Sequence, residues 1–89
     1  MEEKTILHQL EALAARLAIK VRYESFQIDG AIHPGGCCRV KGEEVVIINR
    51  KAQPRERIKI LLAALKRRDL SDVFITPSLR ELLDQPEDS

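Results

Sequence analysis

The chain has 89 residues, of which 44% are hydrophobic and 33% are charged, and its formal net charge at pH 7 is +1. That length and composition suit one soluble domain with a shallow core rather than a disordered chain, and no run approaches the ~20 apolar residues of a membrane span. The acidic start MEEKT lacks the features of a signal peptide, so we expect one cytoplasmic domain over 1–85, a frayed acidic tail at 86–89 and no membrane partner.

The first part of the chain predicts a helix followed by a strand. Apolar residues in 5–19 recur at the spacing of an amphipathic helix. From Ile19 the period changes to two, and the intervening positions hold Lys20, Arg22 and Glu24, which is typical of a strand with one solvent-exposed face.

The middle of the chain predicts two further strands. The stretch CCRV, residues 37–40, is followed by a turn at Lys41-Gly42 and then by EVVIIN, residues 44–49. A connection this short favours antiparallel pairing. Because residues 45–48 are apolar on both faces, we expect this strand to be central and covered on both sides.

The second helix is predicted to begin at Pro54, a residue that suits a first helical position. Its core face holds Ile58, Leu61, Leu62 and Leu65 at helical spacing. The far side holds a second apolar stripe, whose small alanines would let another backbone approach closely. This candidate interaction face consists of Ile60, Ala63, Ala64 and Arg67.

The same helix is strongly basic. Residues 50–68 include eight basic residues and one acidic residue, a net charge of +7, which leaves −6 on the rest of the chain. Such asymmetry indicates a partner for the basic surface, either nucleic acid or an acidic protein surface. The candidate basic patch consists of Arg55, Arg57, Lys59, Lys66 and Arg68.

After a short extended segment over 70–75, Thr76 as N-cap and Pro77 at the first position predict a short C-terminal helix. The expected class is therefore α+β. Its elements are an N-terminal helix, a small and mainly antiparallel sheet of two or three strands, an amphipathic helix, the extended segment and the short helix.

The stretch HPGGCCRV, residues 33–40, raises the question of a metal or thiol site at His33, Cys37 and Cys38. Adjacent strand cysteines point to opposite faces, whereas zinc ligands are usually two to four residues apart. A catalytic thiolate needs a base and an orienting group, and no third group is evident. We therefore interpret the stretch as a loop that leads into a strand, with Cys38 beside Val40 in the core, and we expect no metal or other cofactor.

The run GGCCRVKGEEVVIINRKAQPRERIKILLAALKRRDL resembles a group of small uncharacterised bacterial proteins that share a GG-x-C-R-V strand, a hydrophobic strand ending in IIN and an amphipathic helix. That resemblance implies no assigned activity. The layout also resembles the minimal core of small zinc-dependent peptidases, whose helix carries His-Glu-x-x-His. There Ala63, Ala64 and Arg67 stand at the motif positions, so the resemblance implies a scaffold without zinc ligands or catalytic base.

Three functions remain open from the sequence, and no complete catalytic motif favours an enzyme. The leading hypothesis is a small non-enzymatic interaction protein that forms a homodimer, or binds another protein, through the Ile60, Ala63 and Ala64 face. The alternative is nucleic-acid binding through 50–68, which the scarcity of aromatic residues for base stacking disfavours. The second alternative is the metal or thiol site at His33, Cys37 and Cys38.

Overall fold

The structure is a computed structural model that describes residues 2–25 and 34–85. Within these residues the chain forms helices and strands in the order α1 (Glu3–Arg16), β1 (Lys20–Glu24), β2 (Gly35–Val40), β3 (Glu43–Asn49), α2 (Pro54–Lys66) and α3 (Pro77–Asp84). The predicted α+β class, with an N-terminal helix, a small sheet and later helices, is confirmed. His33 and the predicted tail at 86–89 lie outside the described residues.

The sheet has the strand order β1-β3-β2, so β3 is the central strand, as predicted. β2 pairs with β3 antiparallel across a turn in which Lys41 and Gly42 have φ angles of 52° and 81°. Positive φ at both central residues defines a type I′ turn, whose twist matches that of a two-residue hairpin. β1 pairs with β3 parallel, which makes the sheet mixed.

The two faces of the sheet differ in their surroundings. On one face, Val46 and Ile48 of β3 belong to the same core cluster as buried residues of α1, α2 and α3, and we call this the helix-covered face. The parallel register places Val21 and Tyr23 of β1 beside them. The opposite face, which we call the second face, includes Val45. Val45 is only 4% exposed, but no residue of this face belongs to the core cluster of the described residues.

Helix α1 ends at Arg16, earlier than the periodicity of 5–19 predicts. Ala18 has a φ of 61°, and the N–H of Ile19 donates to the carbonyl of Ala14 at 2.9 Å. A left-handed residue with this back-bonding forms a Schellman-type end, in which glycine is the usual residue. The left-handed turn directs the chain from α1 into β1.

Helices α2 and α3 begin where the sequence predicts. Pro54 is the first residue of α2, and the N–H of Gln53 donates to a carboxylate oxygen of Glu56 at 3.1 Å, half of a capping box. Thr76 takes the N-cap position of α3, but its side chain makes no capping hydrogen bond. The segment between the two helices contains a turn and joins no strand within residues 34–85.

The predicted division of α2 into a core face and a far side is wrong for Ala64, which is 1% exposed and belongs to the core. Ile60 and Ala63 are half-buried, and Arg67 is exposed. The physical reason is that α2 contacts α1 as well as β2, β3 and α3, so neighbours cover a wider arc of the helix than a sheet alone covers.

Among residues 2–25 and 34–85, the structure contains no helix whose length and apolar content would allow it to cross a membrane.

Both the backbone conformation and the neighbouring atoms require glycine at position 35. Its φ is +132°, and a Cβ atom there would lie 2.1 Å from the carbonyl oxygen of Ile47. We expect Gly35→Ala to lower the free energy of unfolding by roughly 2 kcal/mol or more, measured by urea denaturation. The matched control is Gly36→Ala, because a Cβ at Gly36 would meet nothing within 4 Å. Equal stability of the two variants would contradict the geometry at Gly35.

Tyr23 connects α1, β1 and α2. Its hydroxyl donates to Oε2 of Glu11, and the guanidinium of Arg57 lies 5.2 Å from the centre of its ring. Burial, together with the hydrogen bond and the negative charge of Glu11, raises the pKa of Tyr23 to about 12, and the positive charge of Arg57 opposes this rise.

Because the folded pKa is raised, protonated Tyr23 stabilises the fold fully below pH ~10, and this contribution is lost as the pH rises toward 12. Tyr23 is the sole tyrosine and the chain has no tryptophan, so phenolate absorbance reports it directly. We expect ionisation near pH 12 in the folded protein, and a lower midpoint in Glu11→Gln. A midpoint near pH 10 in protein that circular dichroism shows to be folded would refute the contact.

Candidate functional site

The outer edge of β2 is the most exposed regular element of the sheet. β2 lies at one end of the strand order, and residues 36–40 are all exposed, with Val40 at 49%. On the side that faces β3, the residue pairs of the two strands alternate between hydrogen-bonded and non-hydrogen-bonded pairs. The N–H of Asn49 donates to the carbonyl of Pro34 at 2.9 Å, and every second pair from there is a bonded pair.

This alternation determines which peptide groups point outward. The bonded positions of β2 after Pro34 are Gly36, Cys38 and Val40. The N–H and C=O groups of Cys37 and Arg39 therefore point away from β3. We call these four groups the β2 edge, and no strand of residues 2–25 or 34–85 pairs with it.

The side chains of β2 alternate between the two faces. Cys38 and Val40 lie on the second face beside Val45, whereas Cys37 lies on the helix-covered face beside Val46. The prediction that Cys38 packs in the core is wrong, since both thiols are free and exposed. Cys37, rather than Cys38, lies on the helix-covered face. The sequence could not show this, because strand alternation does not reveal which face of the sheet the helices cover.

The thiol hypothesis gains no support from the surroundings of Cys37. Partial desolvation of the exposed Cys37 thiol raises its pKa and outweighs the lowering effect of the Arg67 guanidinium, while Glu44 raises the pKa further. A raised pKa reduces the fraction of nucleophilic thiolate near neutral pH. His33 lies outside the described residues, and the rest of the chain that the structure describes brings no three His, Cys, Asp or Glu residues together.

Arg57 belongs to the predicted basic patch, but its donors bind the chain itself. Its Nε donates to the carbonyl of Ala52 at 3.0 Å, and its Nη2 donates to the carbonyl of Arg50 at 2.7 Å. These bonds connect the first turn of α2 to the loop after β3. Arg57 is thus engaged in holding this corner of the fold.

Arg68 and Lys66 also make bonds within the chain. Arg68 donates to the carbonyl of Leu17 at 2.9 Å and to the carboxylate of Glu44 at 3.1 Å, and Lys66 donates to the carbonyl of Gln85. Only Arg55 and Lys59 of the predicted patch are exposed. The patch is therefore not a continuous row of exposed cations.

An apolar cavity that the sequence does not predict lies near the C-terminal end of the described residues. This cavity of about 210 Å³ lies between α1 and the start of α3, and its lining includes Leu13, Leu79 and the 76%-exposed Phe74. Nothing in the local pattern distinguishes Phe74 from a core aromatic residue. Local sequence patterns do not predict the β2 edge either, because the order of the strands depends on pairing between distant residues.

Comparisons of this chain with protein-family models, with curated proteins and with solved structures found no match.

Replacement of Arg68 by methionine tests whether the basic residues of 50–68 serve the fold. Arg68→Met keeps the apolar stem but removes the bonds to Leu17 and Glu44, so we expect a loss of about 1–2 kcal/mol in unfolding free energy. The control Arg55→Met removes an exposed cation and should change stability by less than ~0.5 kcal/mol. Urea denaturation measures both. If the two variants lose equal stability, the structural role of Arg68 is wrong.

Proposed function

We propose that this protein is a small, non-enzymatic interaction protein that self-associates through the β2 edge. The observation that carries the proposal is an exposed strand whose outward N–H and C=O groups pair with no strand of the described residues. Such an edge is a template for pairing with another strand.

The composition of β2 supports pairing rather than protection. Proteins usually protect an exposed edge with lysines, prolines, bulges or very short strands. β2 is six residues long, contains no proline, and has Arg39 as its one charged residue. Val40 adds an exposed apolar side chain next to the turn. These features make β2 a better interface than an ordinary solvated edge.

The helix face that the sequence suggested is a weaker candidate. Ala64 is in the core, and Ile60 and Ala63 are already half-buried by neighbours in the same chain. What remains exposed there is chiefly Arg67. We therefore place self-association at the β2 edge, and association that Val40→Lys does not weaken would instead favour the helix face.

Nucleic-acid binding has less support than self-association. Three of the five basic residues proposed for it bind carbonyl or carboxylate groups of their own chain. A phosphate-binding surface needs several exposed cations at once, since each phosphate contact adds to affinity separately. Of these five residues only Arg55 and Lys59 are exposed, so phosphate contacts would depend on them and on the exposed Arg50, Lys51 and Arg67 of the same segment.

Light scattering across protein concentrations tests the proposal. The monomer mass is 10.1 kDa, and we expect the measured mass to rise toward twice that value as concentration increases. Val40→Lys adds a charge to the edge strand, so we expect at least ~10-fold weaker association, equivalent to about 1.4 kcal/mol. The matched control is Phe74→Lys, which removes the other exposed large apolar side chain of residues 2–25 and 34–85, one that lies beside α1 and the start of α3 rather than on β2, and should leave association unchanged.

Two results count against self-association at the β2 edge. A wild-type mass of one monomer at every concentration excludes self-association. Equal weakening by Phe74→Lys and Val40→Lys shows that the interface, if there is one, lies elsewhere.

A further inference from the structure

We infer that two copies of this chain pair through β2 in an antiparallel, two-fold register centred on Cys38, an inference that rests on the proposed self-association. The pairing would join two three-stranded sheets into one continuous six-stranded sheet. The outward peptide groups and the side chains of β2 match those of a second copy, so we take a second copy rather than an unrelated strand as the partner.

Symmetry limits the possible registers. A two-fold axis perpendicular to an antiparallel sheet exchanges the paired strands of the two copies. The axis must therefore lie between one residue and the same residue of the second copy. Near the middle of β2 the candidates for that residue are Cys37 and Cys38. Each choice brings a different set of peptide groups and side chains together.

The outward peptide groups favour Cys38 as the centre. In that register Cys37 of each copy lies opposite Arg39 of the other copy. Each of these two pairs makes two hydrogen bonds, so the N–H and C=O groups of both β2 edges are all used in four hydrogen bonds. A register centred on Cys37 gives two bonds between the Cys37 residues. Its remaining bonds would need Gly35, which already takes part in another interaction.

The side chains favour the same register. Centring on Cys38 places Val40, which is 49% exposed, opposite Gly36 of the second copy. Gly36 has no side chain, and the position of its absent Cβ has nothing within 4 Å, so the valine has room to pack there. The shift to Cys37 as centre would instead place Val40 opposite Pro34. The register on Cys38 thus matches the exposed side chain to the open space.

The charges are compatible with pairing of two identical edges. Like charges directly opposite each other destabilise a strand pair. In this register Arg39, the one charged residue of β2, faces Cys37 of the second copy rather than another arginine. One pair of six-residue strands is a small interface, so the dimer should be weak and its population should depend on concentration.

The register has a chemical consequence that can be measured. The two Cys38 residues form a non-hydrogen-bonded pair, in which Cα atoms lie ~4.5 Å apart, inside the range of about 4.4–6.8 Å that a disulfide spans. A diazene oxidant such as diamide takes two electrons and two protons from the two thiols. An S–S bond forms, and the N=N bond is reduced to a hydrazine.

Single-cysteine variants test the register with the full chain. Cys37→Ser leaves Cys38 as the sole thiol, and Cys38→Ser leaves Cys37. We expect diamide to cross-link Cys37→Ser at least ~10-fold faster than Cys38→Ser, because pairing raises the local concentration of the Cys38 thiol. Each rate is divided by the rate of alkylation with iodoacetamide, which corrects for the raised pKa of the Cys37 thiol. Adding Val40→Lys to Cys37→Ser should abolish the advantage.

Failure of the register is distinguishable from failure of self-association. If light scattering shows a dimer but Cys38→Ser cross-links as fast as Cys37→Ser or faster, the register centred on Cys38 is wrong and the proposed function stands. If the wild type stays monomeric and both variants cross-link at the rate of random collision, both proposals are wrong.

Discussion

The double pairing of β3 is the constraint on which the rest of the structure depends. β3 is bonded to β1 on one side and to β2 on the other, and its Val46 and Ile48 are buried almost completely against the helices. Once β3 is central, β1 and β2 must be the edges of a three-stranded sheet. Because the short type I′ turn ties β2 to β3 alone, the other side of β2 carries outward peptide groups. The site that we propose is thus a consequence of the topology.

Arg57 of α2 and Arg68, which follows the helix, hold the fold together more than they form a binding surface. Arg57 bonds to the loop that follows β3 and lies over the ring of Tyr23, and Arg68 joins the end of α1 to Glu44 of β3. Guanidinium groups suit this task, since their several donors in a fixed plane can reach more than one acceptor. The concentration of positive charge in 50–68 is therefore explained partly by architecture, without an external anionic partner.

Local patterns in the sequence predicted the elements well and their surroundings poorly. Period-two alternation located β1, the Lys41-Gly42 turn located the hairpin, and Pro54 marked the start of α2. The burial of Ala64 could not be predicted, because helical periodicity does not reveal that α1 and the sheet cover the same helix from different sides. Likewise, alternation placed the two cysteines on opposite faces but did not identify the face that the helices cover. The β2 edge depends on which strand is central, a matter of non-local pairing.

Amide hydrogen exchange at Cys37 and Arg39, followed by NMR over a range of protein concentrations, tests the central claim most directly. These N–H groups point away from β3, whereas those of Cys38 and Val40 are bonded to it and serve as internal references. The account predicts that protection at Cys37 and Arg39 increases with concentration, while protection at the reference amides stays constant. Unprotected exchange at Cys37 and Arg39 at every concentration would contradict self-association through β2.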